Sequence, residues 1–164
     1  MMEIRVLCPD DWLLWRELRL AALAESPGAF GSRLADWQGD GDREERWRAR
    51  LDLPGSINLV AVLDGHPVGM VSGVPGPHAG TAELISLWVA AAVRGRGVGD
   101  RLMGAVEQWA IGRGAERLRL AVMPGNEHAL ALYRRHGLRD TGPHGASLPD
   151  GRRERVMVKH LPTG

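Results

Sequence analysis

The feature that most constrains the fold of this chain is a predicted strand that leads, through a glycine-rich turn, into an amphipathic helix. Residues 81–89 form the strand, in which Glu83, Ile85, Leu87 and Val89 are expected to share one face. The turn has the sequence Arg94-Gly95-Arg96-Gly97-Val98-Gly99. Apolar residues then recur at helical spacing at Val98, Leu102, Val106, Trp109 and Ala110. This succession predicts a mixed domain in which a helix N-terminus follows the end of a strand.

The glycine-rich turn has the chemistry of an anion site. The first N–H groups of a helix have no partner within it and lie at the positive end of its dipole, so they attract phosphate oxygens. The three glycines allow a diphosphate to approach the backbone, and the two arginines add positive charge. A dinucleotide fingerprint starting at Gly95 would need glycine where Asp100 stands, and the Gly-Lys-Ser/Thr of a P-loop is absent. A tight connection without a ligand is the alternative interpretation.

The rest of the chain predicts one α/β (α+β) domain. Its 164 residues have the length of a single ordinary domain, and 44% apolar with 25% charged residues is typical of a globular protein. Periodicity and turn residues give the order β-α-α-β-β-β-α-β-α-β-β, without internal repeat or linker. The predicted strands are 3–8, 57–63, 67–74, 81–89, 118–123, 138–141 and 153–161, and the predicted helices are 12–24, 43–51, 98–111 and 127–136. Residues 1–164 are therefore expected to form one domain.

Composition argues against several classes of function. The net charge of +1 disfavours nucleic acid or an anionic membrane as a partner. Cys8 stands alone, which excludes an internal disulfide, and its neighbours Leu7 and Pro9 predict a buried, inert thiol. The six histidines lack the spacing of metal ligands, so no metal is expected. The absence of a leader pattern and of an apolar run of roughly 18 residues predicts a cytoplasmic protein.

A second segment, from Asn126 to Leu138, matches a pattern that complements the glycine-rich turn. Together the two segments resemble the GNAT superfamily of N-acetyltransferases. The diphosphate signature of that family, Arg/Gln-x-x-Gly-x-Gly/Ala, is matched by Arg94, Gly97 and Gly99. Its later pattern, Asn-x-x-Ala-x-x-x-Tyr-x-x-x-Gly-Phe, is matched by Asn126, Ala129, Tyr133 and Gly137, with Leu138 in place of Phe. The predicted element order is also that of the family, so the resemblance covers essentially the whole chain.

The resemblance implies a mixed, mostly antiparallel sheet flanked by helices and a binding site for acetyl-CoA. The segment expected to hold the diphosphate comprises Arg94, Gly95, Arg96, Gly97, Val98 and Gly99. The backbone expected to pair with the pantetheine arm is that of Leu87, Trp88 and Val89. Asn126 and Ala129 begin the segment expected to contact the pantetheine or adenosine part, although Asn126 is equally suited to cap a helix. Asp100 would place a negative charge beside the diphosphate or cap the following helix.

The implied reaction moves an acetyl group from acetyl-CoA directly to a primary amine of a small molecule, peptide or protein, without a covalent intermediate. Tyr133 matches the position whose hydroxyl protonates the departing thiolate. An alkylammonium is deprotonated only about once in two to three thousand molecules at neutral pH, so a base or proton relay is needed. Glu83 stands where some members of the family have a general base, and it is also a candidate to contact the substrate. An ordered water, with Glu83 an ordinary strand residue, is the alternative.

The acceptor site implied by the resemblance involves residues 12–40. Phe30 is expected to line it, and four tryptophans are candidates for its wall: Trp12, Trp15, Trp37 and Trp47. The Arg/Glu-rich stretch 43–50 is interpreted as a solvated helix face. A non-catalytic acyl-CoA-binding or regulatory module is the alternative to an enzyme. A homodimer is compatible with the family, and the sequence selects no particular amine.

Overall fold

A seven-stranded sheet organises the part of the chain that the structure, a computed structural model, describes: residues 1–25, 34–148 and 150–162. The strands are β1 Met2–Val6, β2 Ile57–Leu63, β3 His66–Pro75, β4 Thr81–Val89, β5 Arg117–Val122, β6 Arg139–Gly142 and β7 Arg155–His160. The helices are α1 Trp12–Glu25, α2 Glu44–Leu51, α3 Val98–Gly112 and α4 Glu127–Arg135. The strand order across the sheet is β1-β2-β3-β4-β5-β7-β6.

The element order and the type of sheet confirm the sequence prediction. Every neighbouring pair in this sheet is antiparallel except β4 and β5, which are parallel. Strands β2 and β4 have the predicted bounds. The hairpin between β2 and β3 turns at Asp64 and Gly65, both with positive φ (+51° and +83°), as a two-residue turn requires.

Helices cover both faces of the sheet, and each face has its own apolar core. On one face α3 and α4 contribute Leu102, Val106, Leu130 and Tyr133. On the other face α1 and α2 contribute Trp15, Leu18, Trp47 and Leu51. Strand β2 supplies Leu59 and Ala61 to the first core and Val60 and Val62 to the second. Because both faces of this strand are buried, its sequence is an almost continuous apolar run.

Cys8 is exposed, so the prediction of a buried thiol is wrong. Strand β1 ends at Val6, two residues earlier than expected, and residues 9–11 form a 3-10 turn that leads into α1. The Cys8 amide donates to the Asp11 carboxylate over 2.8 Å, which holds the chain in this turn. Leu7 and Pro9 therefore flank a turn of the backbone, and at this turn the Cys8 side chain is exposed.

The described residues lack two kinds of feature. They contain no helix that is long and apolar enough to cross a membrane. They also contain no group of three or more His, Cys, Asp or Glu side chains that could hold a metal ion.

Candidate active site

A β-bulge divides β4 into two parts. The register with β3 shifts by one residue at Ser86, whose φ is +60°. Because the bulge adds a residue to β4, the alternation of side chains inverts beyond it. Ile85 faces α1 and α2, whereas Leu87 and Val89 pack against the core formed with α3 and α4. The prediction that these side chains share one face with Glu83 is therefore wrong beyond Ile85.

Strands β4 and β5 separate after a short contact. Residues 81–83 pair with residues 117–119, and beyond Glu83 the described part of the chain pairs β4 only with β3. The Ala90 amide donates to the Val68 carbonyl over 2.8 Å. By the alternation of an antiparallel ladder, the backbone groups of Val89 then point to the opposite, open edge. An open strand edge inside a domain can accept an extended ligand as if it were another strand.

The turn after β4 presents unpaired amides in an open cradle. Gly95 and Gly97 both have a φ of +82°, a conformation that favours glycine, and a Cβ at either position would meet nothing within 4 Å. Gly97 is the N-cap residue of α3 and supplies no capping side chain. The first-turn amides, beginning at Val98, have no acceptor within the helix. This geometry fits a diphosphate at the positive end of α3.

The two arginines of the turn differ in their surroundings. Arg94 donates from Nε to the Val89 carbonyl over 3.0 Å and forms an ion pair with Glu25 at the end of α1. Arg94 therefore ties the turn to the end of β4 and to α1. Arg96 is exposed and forms no ion pair with a described residue, which leaves its charge available to an anion in the cradle.

Two contacts fix the start of α3 to α4. A Cβ on Gly99 would lie 3.3 Å from Leu132, so the small residue allows the two helices to approach. Asp100 accepts from Arg135 over 2.9 Å and from His136 Nε2 over 2.8 Å. Burial opposes ionisation of Asp100, but these hydrogen bonds outweigh it and lower its pKa. The Asp100 carboxylate, which was expected beside the diphosphate, is thus paired with Arg135 and His136 at the end of α4.

Asn126 caps α4. Its side-chain oxygen accepts from the Ala129 amide over 3.3 Å, which is the capping role that the sequence left open beside cofactor contact. Ala129 itself packs against the core on the α3 side of the sheet. Because the amide group of Asn126 keeps its two N–H donors, capping does not exhaust its hydrogen-bonding capacity.

Tyr133 lies on α4 and is almost fully buried, with 8% of its surface exposed. It belongs to the apolar cluster against which Leu87 and Val89 pack, so it lies in the same core as the second part of β4. Burial raises the pKa of Tyr133 to about 12. Its hydroxyl has no hydrogen-bond partner among the described residues. The phenol therefore carries its proton throughout the physiological pH range.

Glu83 is the last residue of β4 that pairs with β5. Its carboxylate forms an ion pair with Arg119, its register partner, and both side chains are largely buried. Burial raises the pKa of Glu83, and the charge and hydrogen bond of Arg119 only partly oppose this rise. The structure thus places a carboxylate with an elevated proton affinity where the two strands separate.

A cavity of about 260 Å³ lies between α1, α2 and the bulge of β4. Its lining consists of Trp15, Arg19, Trp37, Trp47, Arg50, Ile85 and Ser86. Three of the four tryptophans proposed as a wall are among these residues, and Trp12 packs against the adjacent core. Phe30, which was expected to line this site, lies outside the described residues.

Sequence reasoning missed the two arginines of the cavity. Arg50 belongs to the stretch interpreted as a solvated helix face, and for this residue the interpretation is wrong. Arg19 stands four residues after Trp15, on the buried stripe of α1, and only 7% of its surface is exposed. A charged residue at an apolar position of a helix was the signal that could have identified Arg19.

The turn of residues 95–99, called the anion cradle below, follows the open edge of β4 along the chain. Arg94 lies between them and donates to the Val89 carbonyl at the end of β4. A ligand with a diphosphate near one end and a long extended arm would occupy the two together, and coenzyme A has this form. Fold and site therefore fit a protein that binds coenzyme A or one of its thioesters.

Comparison with known proteins identifies the family. The model of the Acetyltransferase (GNAT) family matches residues 15–138, and the chain belongs to this family. A GNAT acetyltransferase from Streptococcus pneumoniae has a TM-score of 0.78 at 23% identity, over 99% of this chain and 100% of that one. A ribosomal-protein-alanine N-acetyltransferase from Brucella melitensis has a TM-score of 0.77 at 25% identity, over 97% and 99%. The yncA protein from Salmonella typhimurium, solved with its cofactor acetyl-CoA, has a TM-score of 0.78 at 22% identity, over 100% and 96%.

Proposed function

We propose that this acetyl-CoA-dependent N-acetyltransferase acetylates the primary amine of a small molecule bound in the cavity beside β4, with Tyr133 as general acid and Glu83 as general base. The observation that carries the proposal is the separation of β4 from β5 at Glu83. This separation leaves the edge of β4 open on the way to the anion cradle. The cavity lies against the bulge of the same strand. Both substrates can therefore reach one strand.

The residues of the site suit acetyl-CoA. The backbone from Gly95 to Gly99, with Arg96 beside it, would hold the diphosphate. The backbone of Val89 and Leu87 at the open edge would pair with the pantetheine arm, whereas Trp88 is the register partner of Met70 on β3. Asn126 and Ala129 would contribute at the start of α4. When bound, acetyl-CoA supplies the acetyl group as an activated thioester.

Two side chains would manage the protons of the transfer. Tyr133 holds a proton at Oη that a departing thiolate can take. Glu83 can accept a proton from the ammonium form of the acceptor, and its raised pKa makes it a stronger base than an exposed glutamate. Direct attack by the amine needs no further nucleophile from the protein.

The replacement Glu83→Gln tests the assignment of the base. We expect kcat/KM to fall several-fold at neutral pH. The acid limb that reports ionisation of Glu83 should be replaced by a continuous rise towards the amine pKa of about 10, because only the free amine can then react. The matched variant Arg119→Gln removes the positive charge that holds the Glu83 pKa down. It should therefore keep the acid limb and move it to higher pH.

Measurement of kcat/KM between about pH 5 and pH 9 for both variants checks this prediction. If Glu83→Gln keeps the acid limb of the unmodified enzyme, Glu83 serves only as the partner of Arg119. Melting temperatures measure the structural role of the ion pair separately. Both variants lose this pair, so both should lose similar stability, whereas only Glu83→Gln loses the proposed base.

The proposal as a whole is tested with acetyl-CoA and a panel of amines. Isothermal titration calorimetry should detect binding of acetyl-CoA, and release of free thiol should depend on an added amine. Binding without turnover over a broad panel would favour the non-catalytic alternative for this particular chain. Failure to bind acetyl-CoA would contradict both interpretations.

The proposal also covers the domain organisation, the cellular location and the oligomeric state of the enzyme. Continuity of the sheet from Met2 to His160 supports a single domain over residues 1–164. Dependence on acetyl-CoA and the bacterial origin of the similar structures named above support a bacterial protein acting in the cytoplasm. A homodimer is also proposed, from the family alone, and light scattering of the purified chain would decide it.

A further inference from the structure

The cavity beside β4 is small and positively charged. Its volume of about 260 Å³ lies below the roughly 300–1,000 Å³ of pockets for drug-sized ligands, which suits a ligand of about the size of an amino acid. Three tryptophans are among the residues that line it. Arg19 and Arg50 both line it, and the described lining residues include no Asp or Glu.

Arg50 is held in place by neutral groups. It donates to Asn58 Oδ1 over 2.9 Å and to the Ser72 and Ser86 hydroxyls over 3.0 and 3.4 Å. Asn58 and Ser72 are themselves buried, and the Ser72 hydroxyl donates to Asn58 over 2.6 Å. These bonds orient the guanidinium and use three of its five N–H donors. The guanidinium also lies over the Trp15 ring, 5.0 Å from its centroid, and its remaining donors are left for a ligand.

The positive charge of Arg50 lies in a largely buried part of the protein. Burial and the nearby charge of Arg19 lower the pKa of Arg50 to about 10, and burial lowers that of Arg19 to about 10, so both remain charged at neutral pH. Asp42, which bonds the Trp47 indole over 2.8 Å, is already paired with Arg16. Among the described residues Arg50 contacts neutral groups and no carboxylate. A buried positive charge in such surroundings is costly, and a ligand anion would offset that cost.

The position of the charges relates them to acetyl transfer. Ser86, which contacts Arg50, is the bulge residue of β4, and the backbone proposed to bind the pantetheine arm begins at the next residue. We infer that the acetyl acceptor carries, besides its primary amine, an anionic group such as a carboxylate or phosphonate that binds to Arg19 and Arg50. This inference rests on the proposed function and specifies its substrate class: small amino acids and aminophosphonates.

The experiment compares acceptors in which an anionic group is replaced by a neutral one. The probes are L-amino acids and their primary carboxamides, with 2-aminoethylphosphonate and ethanolamine as a second pair. Binding is followed by quenching of tryptophan fluorescence, because three of the six tryptophans line the cavity, and turnover by thiol release. We expect at least one anionic probe to bind and react about ten-fold better than its neutral counterpart.

Variants on α2 test the role of the arginine. Arg50→Gln should remove most of this preference for the anionic probe and leave the Kd of acetyl-CoA unchanged, and Arg50→Lys should restore part of the preference. Arg48→Gln is the matched control, because Arg48 lies on the same helix and pairs with Asp10 and Glu44 at the surface. It should keep the full preference.

The outcomes separate this inference from the proposed function. Turnover of neutral and anionic amines with equal efficiency, or no quenching by any anionic probe, overturns the inference and leaves acetyl-CoA binding intact. An enzyme that does not bind acetyl-CoA overturns the proposed function. Because the comparison of paired probes uses the unmodified enzyme, it remains decisive even if the Arg50 variants fail to fold.

Discussion

Replacement of Tyr133 with Phe is expected to lower kcat ten- to 100-fold and to leave the Kd of acetyl-CoA nearly unchanged. Phe keeps the aromatic ring that packs in the core and removes only the hydroxyl. General acids contribute roughly 100- to 10,000-fold. A thiolate whose conjugate acid has a pKa of about 8.5 is already a good leaving group, so the expected loss lies at or below the lower limit of that range. Steady-state kinetics and calorimetry with acetyl-CoA measure the two quantities.

The pH profile provides the control for Tyr133. Because burial raises the pKa of Tyr133 to about 12, the phenol should not ionise below about pH 10. Any basic limb in the neutral to mildly alkaline range should therefore be the same in the unmodified enzyme and in Tyr133→Phe. An unchanged kcat would remove Tyr133 from the mechanism. A large loss of melting temperature would instead indicate that the hydroxyl supports the fold.

Replacement of Gly97 with Val is expected to raise the Kd of coenzyme A about 100-fold, which corresponds to about 2.7 kcal/mol. The residue has a φ of +82°, where a β-branched side chain is strained. The space in front of its Cα is open, so the new side chain would extend into the cradle without meeting another part of the protein. Both effects act at the start of α3, where the amides must approach the diphosphate.

Gly65 provides a matched control for backbone strain. It has nearly the same φ, +83°, and a Cβ there also meets nothing within 4 Å, but it lies in the hairpin between β2 and β3. Gly65→Val and Gly97→Val should lose similar stability, of order 1–3 kcal/mol each. Only Gly97→Val should lose affinity for coenzyme A by calorimetry. Equal affinity in both variants would show that the turn does not hold the diphosphate.

Features that depend on residues close together along the chain were predictable from the sequence. The glycines before α3 could be identified because few other residues tolerate a positive φ, and the strand of residues 57–63 because β-branched apolar runs favour buried strands. The motif containing Tyr133 could be recognised because its residues follow one another on a single helix. In each case the physical cause lies within a few residues of the feature itself.

The bulge at Ser86 had no such signal. Serine has no special preference for a positive φ, so the conformation depends on how β4 pairs with β3 rather than on the residue. One inserted residue then reverses which side chains face the cavity beside α1 and α2 and which face the core with Tyr133. The sequence pattern of alternating residues 83–89 could not reveal this, because alternation assumes an uninterrupted ladder.

By itself, then, the sequence determined the order of helices and strands, the glycine-rich start of α3 and the motif that contains Tyr133, because backbone conformation and side-chain periodicity are local properties. The tertiary structure alone decided that Glu83 pairs with Arg119 where the strands separate, and that Arg50 faces a cavity from within a charged stretch. Burial and electrostatic pairing depend on segments distant in the chain: Arg50 is surrounded by residues from α1, β2, β3 and β4, and only folding brings these together.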